Sequence, residues 1–97
     1  MHETPTVAMI KTNLYSISLN YTIGKATYRK VVVKRLNKRH YQGKAYASNF
    51  LSIKFEVKGN NMKIHYKFRS SKYQYKFITF IVGVLNLIDQ ENDEQVG

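Results

Sequence analysis

The sequence predicts an α+β domain: an antiparallel sheet of about four strands, built from two hairpins, with one C-terminal helix packed on its apolar face. Four segments alternate apolar and polar residues, and a later segment repeats its apolar residues every three or four positions. The length of 97 residues and the hydrophobic content of 43% suit one domain with its own core.

The first hairpin is predicted over residues 14–36. Residues 14–23 alternate strictly, and Gly24–Lys25 suits a two-residue turn with glycine at its first position. In the simplest register, Lys30 and Lys34 of the second strand point toward the apolar side. Either a bulge changes the phase of that strand, or its far half is only partly covered.

Residues 37–49 contain Gly43 and no apolar period, so they predict a long connecting loop. The second hairpin follows, with alternating runs over 50–58 and 62–69. One side of this hairpin is apolar and the other is charged. By phase, three phenylalanines belong to the core: Phe50, Phe55 and Phe68.

Ser70–Ser71 is a candidate cap for a helix over residues 72–88. The apolar residues at helical spacing are Tyr73, Phe77, Phe80, Ile81, Val84, Leu85 and Ile88. Many β-branched residues and Gly83 leave a strand open as the alternative. The uncharged run is too short for the roughly 20 residues that span a bilayer. Since this helix is apolar on more than one side, we predict a homodimer through it.

The termini differ from this basic α+β domain, which is predicted over residues 13–88. Residues 1–12 are expected to be a loose N-terminal segment or a short edge strand, and residues 89–97 an acidic disordered tail. The start of the chain has no apolar run typical of a secretory or transit segment, so an intracellular, cytoplasmic location is expected. If the ligand is DNA, we expect the nucleoid or nucleus instead.

The charge distribution points to an anionic partner. The formal net charge is +10, and all 16 lysines and arginines lie between Lys11 and Lys76, a stretch in which Glu56 is the one acidic residue. A field of this size is complemented by nucleic acid, an acidic protein or an anionic membrane surface. The alternative is that the many lysines only keep the protein soluble and reflect an AT-rich genome, with no role in binding.

Nucleic acid, DNA or RNA, is the predicted partner, bound through backbone phosphates with low sequence specificity. Basic residues cluster in the predicted loop and its flanks, with Tyr41 and Tyr46 between them as candidate stacking rings. A second basic cluster arises by alternation on the second hairpin. The predicted contact residues are Arg29, Lys34, Arg35, Lys38, Arg39, His40, Tyr41, Lys44, Lys54, Lys63, Lys67 and Arg69.

Other chemistries find little support in the sequence. Without cysteine there is no disulfide, no cysteine-ligated zinc and no thiol nucleophile. One carboxylate, Glu56, and one imidazole, His65, on the same strand face are fewer than the three protein ligands of a catalytic zinc. We therefore predict no catalytic residue, metal or cofactor. Two alternatives stay open: a viral or mobile-element inhibitor or adaptor docking on an acidic protein, and a metal-free ribonuclease using His40 or His65.

Overall fold

A computed structural model describes the backbone of residues 4–96 and the side chains of residues 4–91. Six antiparallel strands form one sheet in which each strand pairs with its sequence neighbours, and one helix covers one side of the sheet. The elements are β1 (Thr6–Lys11), β2 (Leu14–Ile23), β3 (Ala26–Asn37), β4 (His40–Ala47), β5 (Ser52–Lys58), β6 (Asn61–Ile64) and α1 (Ser71–Val96).

The predicted α+β class, the antiparallel sheet and the C-terminal helix are confirmed, but the sheet has six strands rather than about four. One additional strand is β1, which lies where the sequence left a short edge strand open. Val7 of β1 pairs with Ile17 of β2 and packs against the core.

The second additional strand is β4, and the long loop predicted over residues 37–49 is wrong. A tight turn at Lys38–Arg39 separates β3 from β4, and the Asn37 side-chain oxygen accepts a hydrogen bond from the Arg39 backbone N–H at 2.9 Å. The positions of β4 that face the helix include Gly43 and Ala45. These small residues hide the apolar alternation by which a strand is recognised.

Position 43 requires glycine because the core leaves no room for a side chain there. A Cβ atom at this position would overlap the ring of Phe55 and lie 2.8 Å from the carbonyl oxygen of Val32. The backbone of β4 therefore passes directly over Phe55, whose side chain is 1% exposed.

Of the two explanations for Lys30 and Lys34 on the apolar side of β3, the structure shows the bulge. Tyr21 pairs with Tyr28 as predicted, but the register then shifts, so that Lys30 pairs with Ser18 instead of Leu19. As a result Lys30 and Lys34 lie on the side of the sheet away from the helix. Between these pairs, Leu19 and Asn20 of β2 lie opposite Arg29 alone, and this shift lets β3 bury Val31 without burying a lysine.

β6 is shorter than predicted. It ends at Ile64, so residues 65–70 form a connection to the helix rather than the second half of a strand. Lys67 and Arg69 are exposed in this connection and do not belong to the sheet.

The helix prediction over residues 72–88 is confirmed, and the strand alternative is wrong. The Ser70 hydroxyl accepts a hydrogen bond from the Tyr73 N–H at 3.4 Å, as expected of a cap residue. Helical backbone continues from residue 89 through Val96, in the segment predicted as a disordered tail. Residue 97 lies outside the described residues.

The core lies between α1 and the sheet, with Phe77 at its centre. The ring of Phe77 lies 5.6 Å from that of Tyr28, 5.4 Å from that of Phe68 and 6.4 Å from that of Phe55. Burial of each such side chain stabilises the fold by roughly 1.5–3 kcal/mol. In the described part of the chain, no helix is both long enough and apolar enough to cross a bilayer.

Candidate nucleic-acid interface

The outer face of the sheet, which points away from α1, gathers the lysines of four neighbouring strands. In β3–β5, strand alternation directs valine, alanine, isoleucine and phenylalanine inward and leaves basic side chains on the other side. Six lysines share the outer face: Lys30, Lys34, Lys44, Lys54, Lys58 and Lys63. In the described chain, Glu56 is the one carboxylate that these strands add to it.

Lys44 and Lys54 lie directly opposite each other on β4 and β5. Side chains in such positions have Cβ atoms roughly 4.5–5.5 Å apart, and like charges there are destabilising. Among the described residues neither lysine forms an ion pair within 4.0 Å. The pair is therefore a concentrated positive charge without an ion-pair partner among the described residues.

Glu56 lies two residues from Lys54 on the same face of β5, but its carboxylate is hydrogen-bonded to His40 and Gln42 rather than paired with either lysine. Its Oε2 atom lies 2.7 Å from Nε2 of His40 and accepts a hydrogen bond from the Gln42 amide at 3.1 Å. These hydrogen bonds, with the nearby Lys58 ammonium, lower the pKa of Glu56 to about 2. The sequence paired Glu56 with His65, but its histidine partner is His40, because β4 lies between β3 and β5.

An open depression of about 400 Å³ lies beside the lysine pair. Its lining combines lysine side chains and Glu56 with apolar surface from Leu14 and Val32. His65 lies at the β6 side, and its backbone N–H donates to the Lys54 carbonyl at 2.9 Å. The outer face thus offers both positive charge and a small apolar floor.

Tyr46 adds an aromatic ring to the edge of this depression. It pairs with Lys30 across β3 and β4, and the Lys30 ammonium lies 5.5 Å from the centre of the ring. The tyrosine is 38% exposed. A cation held against a ring at this distance is attracted by its π electrons, and this attraction orders both side chains.

Phe50 is fully exposed in the turn between β4 and β5, so its prediction as a core residue is wrong. Its φ angle is 63°, in the left-handed region that bulky residues rarely adopt. The chain turns at residues 48–50, and this breaks the alternation that the sequence extends through Phe50. The other two phenylalanines follow the prediction more closely: Phe55 is buried and Phe68 is half-buried.

The predicted contact residues divide among three places. Those on the outer face are Lys34, His40, Lys44, Lys54 and Lys63. Those exposed in turns, at the β3 bulge or in the β6–α1 connection are Arg29, Lys38, Arg39, Lys67 and Arg69. Those on the helix side of the sheet are Arg35 and Tyr41.

Tyr41 is not available as a stacking ring, because it is 5% exposed and faces the helix. Its hydroxyl donates a hydrogen bond to the Asp89 carboxylate of α1. Burial and this hydrogen bond raise the pKa of Tyr41, while the neighbouring Arg35 guanidinium opposes the shift. The aromatic ring available on β4 is Tyr46, because Tyr41 and Tyr46 have opposite parity in the strand.

The predicted contact residues omit Lys30, Lys58 and Phe50, and they omit Tyr46, which the sequence indicates only as a candidate stacking ring. Lys58 could have been predicted, because alternation with Lys54 places it on the charged side of its strand. The position of Lys30 depends on the bulge, which the sequence left open as one of two alternatives, and the exposure of Tyr46 depends on β4, which the apolar pattern does not show. Phe50 has no sequence signal of exposure.

The described residues contain no group of three or more histidine, aspartate or glutamate side chains arranged to hold a metal ion. No family model, curated protein or solved structure matches this chain. The geometry and electrostatics of the outer face therefore carry the functional argument alone.

Proposed function

We propose that this protein binds nucleic acid without catalysing a reaction, contacting backbone phosphates through the outer face of the sheet with low sequence specificity. The observation that carries the proposal is the Lys44–Lys54 pair, two like charges held opposite each other without a described carboxylate partner. Phosphates that bind between such lysines relieve their repulsion and release condensed counterions.

The distribution of the other lysines supports a polymer over a single small anion. Lys30, Lys34 and Lys63 lie on strands to either side of the pair, so the positive charge extends across β3–β6. Hydrogen bonds from lysines to phosphates carry no information about base identity. Low sequence specificity follows from that chemistry.

The test is the salt dependence of binding, measured by fluorescence anisotropy with labelled DNA and RNA. For K44E/K54E we expect weaker binding and a shallower plot of log affinity against log salt, since each lost phosphate contact reduces the slope by about 0.7–0.9. The matched control is K72E/K76E, which makes the same charge change on the exposed start of α1. Equal losses in the two variants would show that net charge, and not the outer face, governs binding.

A protein partner is the second candidate, and exposed apolar residues of the edge strand β1 favour it. Met9 is 48% exposed and Ile10 is 58% exposed. An apolar edge strand is a surface on which another chain can pair. Binding through such contacts responds far less to salt than phosphate binding does, so the same salt series separates the two candidates.

A further inference from the structure

The apolar floor of the depression beside Lys44 and Lys54 has no use in binding phosphate alone. Phosphate is a hydrated anion, whereas Leu14 and Val32 present hydrocarbon to it. A nucleobase has polar edges but flat π faces, and these faces gain from leaving water against such a surface. The combination of lysines and an apolar floor therefore suits a nucleotide whose base is free to turn toward the protein.

Tyr46 supplies a ring next to this floor. Because it is 38% exposed and the Lys30 ammonium lies 5.5 Å from its centre, it is ordered but still accessible. Base–aromatic stacking is tolerant of sequence, since every base has a π face. This agrees with the low specificity proposed above.

Phe50 is a second accessible ring, four residues beyond Tyr46 in the turn that joins β4 to β5. Full exposure of a phenylalanine together with a left-handed φ of 63° is unfavourable for folding on both counts. In the described structure neither feature is compensated by packing of the side chain. A ring kept under these conditions is explained if it contacts a ligand.

Duplex nucleic acid fits this surface poorly. In a duplex the bases are stacked inside, and proteins reach their edges by placing a helix or a two-stranded ribbon in a groove. The outer face is the surface of a six-stranded sheet, and α1 lies on the opposite side. The Tyr46 ring and the apolar floor could meet a base only where the base is unpaired.

We propose that the outer face, together with the β4–β5 turn that follows Tyr46, binds single-stranded nucleic acid, with unpaired bases against Tyr46, the apolar floor and, in the turn, Phe50, and with phosphates on Lys44 and Lys54. This inference rests on the proposed nucleic-acid function and names the ligand class of the same site. DNA and RNA single strands share the chemistry that these groups recognise. The experiment includes both.

The test compares four labelled probes of about twelve nucleotides: oligothymidylate, oligouridylate, an abasic strand with the same number of phosphates, and a duplex. We expect each base-bearing single strand to bind at least about tenfold more tightly than the abasic strand. The variant Y46A/F50G should reduce this advantage to near unity while leaving abasic binding unchanged. Y75A is the control, because Tyr75 is 71% exposed on α1, away from the outer face.

The outcomes separate this inference from the proposed function. If the abasic strand binds as tightly as the base-bearing strands, or the duplex binds more tightly than both, the single-strand inference is wrong while phosphate binding stands. If Y46A/F50G retains the full advantage of the base-bearing strands, the assigned rings are wrong. If no probe binds at low salt, the nucleic-acid function fails as well.

Discussion

The hydroxyl of Tyr41 on β4 and the carboxylate of Asp89 on α1 lie 2.5 Å apart, joining two segments that are 48 positions apart in the sequence. This hydrogen bond fixes the later part of the helix to the centre of the sheet. It also places Asp89 in a structural role, although the sequence assigns this residue to an acidic tail.

Removal of that hydroxyl tests the connection. We expect Y41F to lower the free energy of unfolding by about 1–2 kcal/mol, because a hydrogen bond to a carboxylate is lost while the ring stays in place. Nucleic-acid binding should be unaffected, since Tyr41 faces the helix. Urea unfolding measures the change, and Y75F is the control at an exposed tyrosine. Equal stability of Y41F and the parent protein would contradict the structural role of the contact.

Substitution of glycine by alanine should change the unfolding free energy in opposite directions at Gly43 and Gly83. G43A places a methyl group against Phe55 and the Val32 carbonyl, so we expect a loss of about 1–3 kcal/mol in unfolding free energy. G83A adds a methyl group that meets no atom within 4 Å beyond its chain neighbours and the adjacent helix backbone, and alanine favours a helix over glycine by about 0.5–1 kcal/mol. Thermal unfolding of both variants should give shifts of opposite sign. A stabilised G43A protein would contradict the packing of β4 over Phe55.

The His40–Glu56 pair predicts an acid-dependent stability. The folded pKa of Glu56, about 2, lies below its ordinary value of 4.5. Glu56 therefore makes its full contribution to the stability of the folded protein at pH values above 4.5, and this contribution is lost as the pH falls from 4.5 toward 2. E56Q should be less stable near neutral pH and should show less further loss over this range, as measured by urea unfolding at several pH values.

The same substitution should have the opposite effect on binding. E56Q removes the described carboxylate from the outer face, so binding of an oligonucleotide at low salt should tighten. E91Q, on α1, changes the net charge equally and serves as the control. If E56Q and E91Q tighten binding by the same amount, the position of the charge on the outer face has no special importance.

Replacing Phe50 by glycine should weaken binding of unpaired bases without lowering the stability of the protein. In F50G the left-handed backbone suits glycine and no packing is removed, whereas glycine adds freedom to the unfolded chain. We therefore expect the unfolding free energy to change by less than about 1 kcal/mol. Guanidinium unfolding measures this. A large destabilisation would show that the phenylalanine ring packs in solution.

The homodimer predicted through the helix can be tested at Val82, which is 47% exposed on α1. Ile78 and Leu87, two further apolar residues of α1 outside the set at helical spacing, are half-buried. Sedimentation velocity at several protein concentrations measures the assembly state. If α1 is the interface, V82E shifts the population to monomer, and a parent protein that is monomeric throughout would make the dimer prediction wrong.

Apolar periodicity was enough to predict β2, β5 and α1, because these elements place large apolar residues at regular intervals along the chain. It failed for β4, where the core is filled from the neighbouring strand by Phe55 and the local positions must be small, as at Gly43 and Ala45. The residue pattern of β4 alone cannot show that a side chain of β5 fills the core next to it.

The candidate site depended on that missed strand. The sequence identified Lys44 and Lys54 as separate contributors, one in a loop and one on a strand. Only the insertion of β4 between β3 and β5 makes them cross-strand neighbours and gives Glu56 its partner His40. The same insertion decides which tyrosine is accessible, since the parity of β4 buries Tyr41 and exposes Tyr46.

The order of the strands in the sheet also has a consequence for biosynthesis. Because every strand pairs with its neighbour in the sequence, the sheet can form step by step as the chain leaves the ribosome. The helix that covers Tyr28 and Phe55 is synthesised after all six strands. Until it emerges, these aromatic side chains face water, and incomplete chains that end before α1 should depend on chaperones to stay free of aggregation.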